Sequence, residues 1–169
     1  MESRSADTHG GALRLGFADR TDADAIAGMS RDLIEHGLAW TYRAERIERY
    51  LRHPDAVVLA ARERDALAGF AIMHFGDERA HLALLAVLPA SRRRGIALAM
   101  LAWLGKSAAI AGMASIHVEL REGNHAAHAL YRRAGFAETL RVPGYYAGRE
   151  TAVRMLRILR PPARADGVA

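Results

Sequence analysis

One segment constrains this chain more than any other: Leu82 to Leu88 is an unbroken apolar run that passes through Pro89-Ala90-Ser91 into three consecutive arginines, Arg92-Arg93-Arg94, and then into Gly95. From Gly95 to Met113 the pattern is Ala/Leu-rich and helical. A short apolar run of this kind suits a strand covered on both faces, so the segment reads as buried strand, basic loop, long helix. The first amides of such a helix have no partner within it and carry partial positive charge, which makes its start an anion site. Small residues at Gly95 and Ala97, and three guanidinium groups beside them, fit a phosphate group better than any apolar ligand. The same stretch read alone also fits a solvated basic turn. Neither GxGxxG nor GxxxxGK[ST] occurs, so the dinucleotide and P-loop signatures are missing.

The rest of the chain organises around this segment. Leu13–Phe17 alternates as a short strand, a helix follows from an N-cap at Thr21 or Asp22 with Ile26, Met29, Leu33 and Ile34 on one face, and a second helix runs from Ala44 to Leu51. Val57–Arg62 and Ala66–Phe75 form a hairpin about Glu63-Arg64-Asp65, and His81–Leu88 is the next strand. After the long helix come a strand at Ser115–Leu120, a helix at Asn124–Arg133, a strand near Ala137–Arg141 and a last strand at Thr151–Leu159. The order β-α-α-β-β-β-α-β-α-β-β predicts an α/β (α+β) domain, a mixed sheet with helices on both faces. At 169 residues a single domain is expected over 12–160, with a flexible leader at 1–11 and a flexible tail at 161–169.

Composition excludes several function classes. With 51% hydrophobic and 25% charged residues the chain can bury a core, which argues against disorder. It has no cysteine, which removes disulfides, thiolate metal sites and a cysteine nucleophile. The start, MESRSADTHG, has no apolar stretch, so no secretory signal peptide is expected, and no run approaches the roughly 20 residues of a membrane span. The expected location is the cytoplasm. The net charge of +5 favours acidic small molecules and phosphates, but no paired basic helices follow it, so neither nucleic acid nor membrane is expected as a partner. His125 and His128 lie three apart on a helix but find no third ligand in the pattern, and no metal is expected.

Two motifs at a fixed separation then carry a resemblance. Arg92-Arg93-Arg94-Gly95-Ile96-Ala97 resembles the (Q/R)-x-x-G-x-(G/A) pyrophosphate loop of the GNAT superfamily of acetyl-CoA-dependent N-acetyltransferases, and Val87-Leu88-Pro89 resembles the V-x-P before it. Downstream, Asn124-His125-Ala126-Ala127-His128-Ala129-Leu130-Tyr131-Arg132-Arg133-Ala134-Gly135-Phe136 is similar to the family's N-x-x-A-x-x-L-Y-x-x-x-G-F block. The likeness covers nearly the whole chain and is greatest to the ribosomal-protein N-terminal alanine acetyltransferases. It implies a mixed, mostly antiparallel sheet of about seven strands, splayed between strands 4 and 5.

It also implies roles. Leu85, Ala86 and Val87 would offer main-chain bonds to the pantetheine arm of acetyl-CoA. Arg92, Arg93, Arg94, Gly95, Ile96, Ala97 and Leu98 would hold the pyrophosphate, and Asn124 would meet the pantetheine end. Tyr131 would be the general acid for the departing thiolate, and Glu119, five residues before Asn124, the general base. Tyr145 and Tyr146, in the loop between the last two strands, would wall the acceptor site. Trp40 and Tyr42 belong to Gly37–Arg43, a segment that departs from the subgroup's pattern and would line the acceptor side. Plainer roles stay open: Tyr131 as a core tyrosine, Glu119 paired with Arg121 or Arg132. The activity implied is transfer of acetyl to a primary amine, by direct attack since a cysteine acyl-enzyme is excluded. The acceptor would be a protein or peptide N-terminal α-amine. The alternatives are a small-molecule amine (amino acid, polyamine or antibiotic) or CoA binding without turnover. A homodimer is left open.

Overall fold

The computed structural model describes residues 12–160, so the leader and tail expected at 1–11 and 161–169 lie outside the described residues. Seven strands form one sheet in the order β1-β2-β3-β4-β5-β7-β6. They are β1 (Leu13–Phe17), β2 (Ala56–Glu63), β3 (Ala66–Phe75), β4 (Arg79–Val87), β5 (Ser115–Arg121), β6 (Ala137–Tyr146) and β7 (Glu150–Ile158). Every neighbouring pair is antiparallel except β4 and β5, which are parallel.

Helices cover the two faces unequally. On one face α1 (Ala23–Leu33) and α2 (Ala44–Arg52) bury Ile26, Met29 and Ile47 against Val58, Phe70, Ile72, Leu84 and Ala86 of β2–β4. On the other, α3 (Ile96–Ile110) and α4 (His125–Arg133) bury Met100, Leu104 and Tyr131 against residues of β2–β5 and β7. The face of β5 and β7 opposite α3 and α4 therefore has neither of these helices packed on it. It carries His117, Glu119, Arg121 and Arg154 beside their cross-strand neighbours Leu156 and Ala152, alternating with the buried Ile116, Val118, Leu120, Val153 and Met155.

A bulge explains how β4 serves both faces. Ile72 pairs with Leu84 but Met73 pairs with Leu82, so Ala83 is one residue too many. Side-chain parity inverts across it. Ala80 and Leu82 pack with the α3 cluster, then Leu84 and Ala86 with the α1 cluster, and Val87 with α3 again. At the same point the β4–β5 ladder ends: its last pair is Leu82 with Val118, although both strands continue. The sheet is splayed there.

Asp22 stands at the N-cap of α1, as expected, but without a side-chain cap bond: Asp19 and Asp22 form a reciprocal box around a single 3-10 turn, and the Asp22 carboxylate also accepts from Arg62 at 2.6 Å. One local expectation is corrected. Pro143–Tyr146 is not a loop but the end of β6, an edge strand. There Val142 opposes Ala152 and Tyr146 opposes Glu150, so the two extra residues bulge out. An edge bulge tolerates Pro143, which has no N–H to give to a ladder.

Candidate active site

The loop after β4 is built to leave amides free. Arg93 and Gly95 both sit at positive φ, 63° and 76°, and Gly95 occupies the N-cap position of α3 with no side-chain cap. The first hydrogen bond into α3 runs from Ala99 N to Gly95 O at 3.0 Å, so the amides of Ile96, Ala97 and Leu98 precede the helical ladder. Glu63 holds the loop from below. Its carboxylate accepts from Arg94 Nη1 and Ser91 Oγ, both at 2.9 Å, and those two contacts, with Arg94 first, keep its carboxyl below the ordinary range. Arg92 Nε donates to Val87 O at 3.1 Å, fastening the loop to the end of β4. Arg92, Arg93, Arg94 and Gly95 remain exposed. The residues Arg92–Leu98 thus form one cationic, amide-rich turn.

Beside it lies the splayed edge. Leu85, Ala86 and Val87 pair with Ala71, Phe70 and Gly69 of β3 on one side and with no strand on the other. Asn124 stands at the N-cap of α4, where its Oδ1 accepts from Ala127 N at 3.1 Å. That bond fixes the start of the helix that carries Tyr131.

Tyr131 is 6% exposed and its ring meets Phe136 edge-on, with centroids 5.3 Å apart. Burial, and then the Tyr146 phenol, push its pKa up, so the hydroxyl keeps its proton throughout the working pH range. Glu119 lies on the uncovered face. One carboxylate oxygen is 2.6 Å from His81 Nε2 and the other 3.3 Å from Arg154 Nε, its partner across the β5–β7 ladder. The His81 hydrogen bond comes first among the causes that hold the Glu119 carboxyl below its usual range, ahead of the opposing effect of burial. Glu119 is therefore ionised, and its partners are His81 and Arg154 rather than Arg121 or Arg132.

Tyr145 and Tyr146 join the same cluster. Their rings meet edge-on at 5.0 Å, Arg154 sits 5.8 Å from the Tyr145 ring and Arg121 5.7 Å from the Tyr146 ring. Tyr146 is pushed up to about 12, by burial first and then by Tyr145 and Glu119. Arg121 also bonds Glu150 at 3.0 Å and the carbonyls of Ile34 (3.0 Å) and His36 (2.7 Å). It ties the segment after α1 to the β6–β7 hairpin. His81, Arg121 and Arg154 were not among the residues singled out by sequence. The available signal was a polar residue at each alternate position of an otherwise apolar strand.

Trp40 and Tyr42 are placed differently. Trp40 is flanked by the guanidinium groups of Arg31 and Arg43, 5.3 and 4.6 Å from its ring. Tyr42 stacks on Tyr50 with centroids 6.1 Å apart, and burial raises its pKa to about 12. Their segment is held by buried Glu35, whose carboxylate accepts from Ser30 Oγ, from Thr41 N and Oγ1, and from Tyr42 N. Burial alone would raise the Glu35 pKa, but those four bonds outweigh it and the net shift is downward. Its contribution to stability is thus complete above the unfolded carboxylate pKa near 4.3, and lost as pH falls through the lower folded value. Glu35→Ala leaves two amides and two hydroxyls without their acceptor, and is expected to cost about 2–4 kcal/mol. Thermal melts check this: the deficit at pH 7 should begin to shrink as pH falls below the unfolded pKa near 4.3 and vanish below the lower folded value.

No group of three or more His, Asp or Glu among the described residues could hold a metal ion, and His128 instead bonds Glu138 at 3.3 Å. No helix among them is long and apolar enough to cross a membrane.

Comparison with known proteins bears on this arrangement. A family model described as acetyltransferase (GNAT) family matches residues 28–136. The [ribosomal protein bS18]-alanine N-acetyltransferase of Escherichia coli (strain K12) is 32% identical over 126 residues, 71% of this chain and 81% of that protein. A longer protein of Mycobacterium leprae, uncharacterised protein ML0378, is 29% identical over 136 residues; the match takes in 78% of this chain but only 36% of that protein's length. Among solved structures, NAA60 of Arabidopsis thaliana in complex with acetyl-CoA has the same fold, with a TM-score of 0.77 at 19% identity over 87% of this chain and 98% of that one.

Proposed function

The chain belongs to the acetyltransferase (GNAT) family, acyltransferases that carry acetyl from acetyl-CoA to an amine, and we propose that its acceptor is the α-amine of a protein or peptide N-terminus. The observation that carries this is the uncovered polar face, where Glu119, Tyr145 and Tyr146 surround the end of the sheet nearest Tyr131. A chain terminus needs such an open approach, and the similar enzyme from Escherichia coli is named for an alanine N-terminus of a ribosomal protein.

In this reading the diphosphate of acetyl-CoA lies on the amides of Ile96, Ala97 and Leu98 and among Arg92, Arg93 and Arg94. The pantetheine arm takes the place of the missing strand beside Leu85, Ala86 and Val87, with Asn124 at its far end. A backbone N–H there, near Val87, polarises the thioester carbonyl. The amine enters beside Glu119, whose carboxylate attracts the incoming ammonium, gives up its proton on that side of the site, and attacks directly. Tyr131 gives its proton to the departing thiolate; burial makes it a weaker acid than a free phenol, so the transfer is driven by the charge that develops on sulfur as the carbon–sulfur bond breaks. An α-amine, with a pKa near 7.7–8.0, costs roughly 3 kcal/mol less to neutralise than a lysine near 10.4.

A free small-molecule amine is the second reading, and it would need the aromatic segment to enclose a pocket. The packing of Trp40 between two arginines and of Tyr42 on Tyr50 favours a filled wall instead. The test is thiol release from acetyl-CoA with short peptides and with free amines, alongside the thermal shift given by CoA alone. Release with peptides is expected. Release only with free amines would replace the acceptor, and a shift without release would make the chain a CoA-binding sensor.

A further inference from the structure

Glu119 is a poor proton acceptor as it stands, because one oxygen faces His81 and the other faces Arg154, and its carboxyl is held below the usual range. A carboxylate so placed does for an imidazole what it cannot do for an amine. Ionised, it only accepts hydrogen bonds, so the 2.6 Å contact requires His81 Nε2 to carry the hydrogen. The other ring nitrogen, Nδ1, then presents its lone pair. The His81 side chain is half exposed and stands on the uncovered face, one residue before the last paired position of the β4–β5 ladder, where the strands part.

We propose that His81 is the base that takes the proton from the acceptor amine, directly or through one water, and that Glu119 is a positioning residue that fixes the imidazole tautomer. This rests on the acetyl-transfer reading above. The step balances simply. The α-ammonium gives one proton to His81 Nδ1, which later returns it to solvent. The neutral nitrogen forms its bond to the acetyl carbon as the carbon–sulfur bond breaks. Tyr131 protonates the sulfur and recovers its proton from the new amide nitrogen. An imidazole is the side chain most often used as a general base, and this one has a free ring nitrogen on the open side.

The groups facing His81 are His74, its partner on β3; His117, its partner on β5; Glu119; and Arg154 of β7 behind the carboxylate. Arg79, two residues before it on β4, acts on the neighbouring His117, whose pKa is lowered by burial first and then by Arg79. His117 bonds Ser115 Oγ at 2.9 Å, which occupies its Nε2. His74 lies beside His53, with ring centroids 5.1 Å apart. Among these histidines only His81 contacts Glu119 through a hydrogen bond among the described residues.

The experiment is the pH profile of kcat for the full chain with a peptide acceptor, in the parent, His81→Ala and Glu119→Gln. His81→Ala should lower kcat about 100-fold, abolish the acidic limb of the profile, and recover activity with added imidazole in proportion to its concentration. Glu119→Gln should lose rate yet keep a limb, because the imidazole is still present. The CoA thermal shift should persist in both. If His81→Ala keeps the parent's kcat and limb while Glu119→Gln loses the limb, Glu119 itself is the base and the proposal is overturned. A parent that acetylates no amine at all would overturn the acetyl-transfer reading, and this one with it.

Discussion

Tyr131→Phe should lower kcat for acetyl transfer by about 1,000-fold and leave the thermal shift given by CoA in place. Removing the hydroxyl deletes one oxygen from a ring that is 6% exposed and packed on Phe136, so neither the shape of the core nor the α4 helix is disturbed. What the proposed mechanism loses is the proton for the thiolate. Stopped-flow thiol release separates this from a packing effect: a core tyrosine without chemistry would change stability slightly and kcat not at all, and that result would remove Tyr131 from the mechanism. Thioesters with better leaving groups should recover part of the rate, since they need the acid less.

Gly95→Val has the complementary signature, a rise of roughly 100-fold in KM for acetyl-CoA with kcat at saturation close to that of the parent. Gly95 holds φ at 76°, a region that costs an L residue about 1–2 kcal/mol, and a branched side chain more. A Cβ there meets no protein atom within 4 Å, so the protein itself has room for it. In the proposed binding mode the space beside these amides belongs to the diphosphate, and a branched side chain at the N-cap would compete for it. Gly112→Val is the matched control, because Gly112 follows the same helix at φ 81° and is equally open. It shares the backbone strain without the anion turn. Equal losses of CoA affinity in both variants would mean that strain in α3 is the cause and that the turn binds nothing.

The parts of this molecule that could be read from sequence are those written in consecutive residues. The strand–arginine–glycine–helix passage of Leu82–Met113, the alternation of Ser115–Leu120 and the block ending at Gly135-Phe136 each carry their own period or turn residue, and each forms the element it predicts. Pairings between distant strands carry no such mark. Glu119 finds His81, 38 positions away, and Arg154, 35 positions away, because β4 and β7 flank β5, and nothing local distinguishes those partners from Arg121 or Arg132. The extra residue at Ala83 is equally silent, being one apolar residue in an apolar run. Pro143-Gly144 does look like a loop, and only its place on the sheet edge lets β6 continue through it.

That extra residue has an evolutionary consequence. Because β4 changes parity at Ala83, Ala80 and Leu82 answer to one helical layer while Leu84 and Ala86 answer to the other. Substitutions within this strand can drift one position at a time, provided volume is kept. One gap is tolerated as well: without Ala83, Leu82 and Leu84 would be adjacent in a regular strand, still opposite Met73 and Ile72 and still on opposite faces, so what the extra residue contributes is the bend where β4 leaves β5.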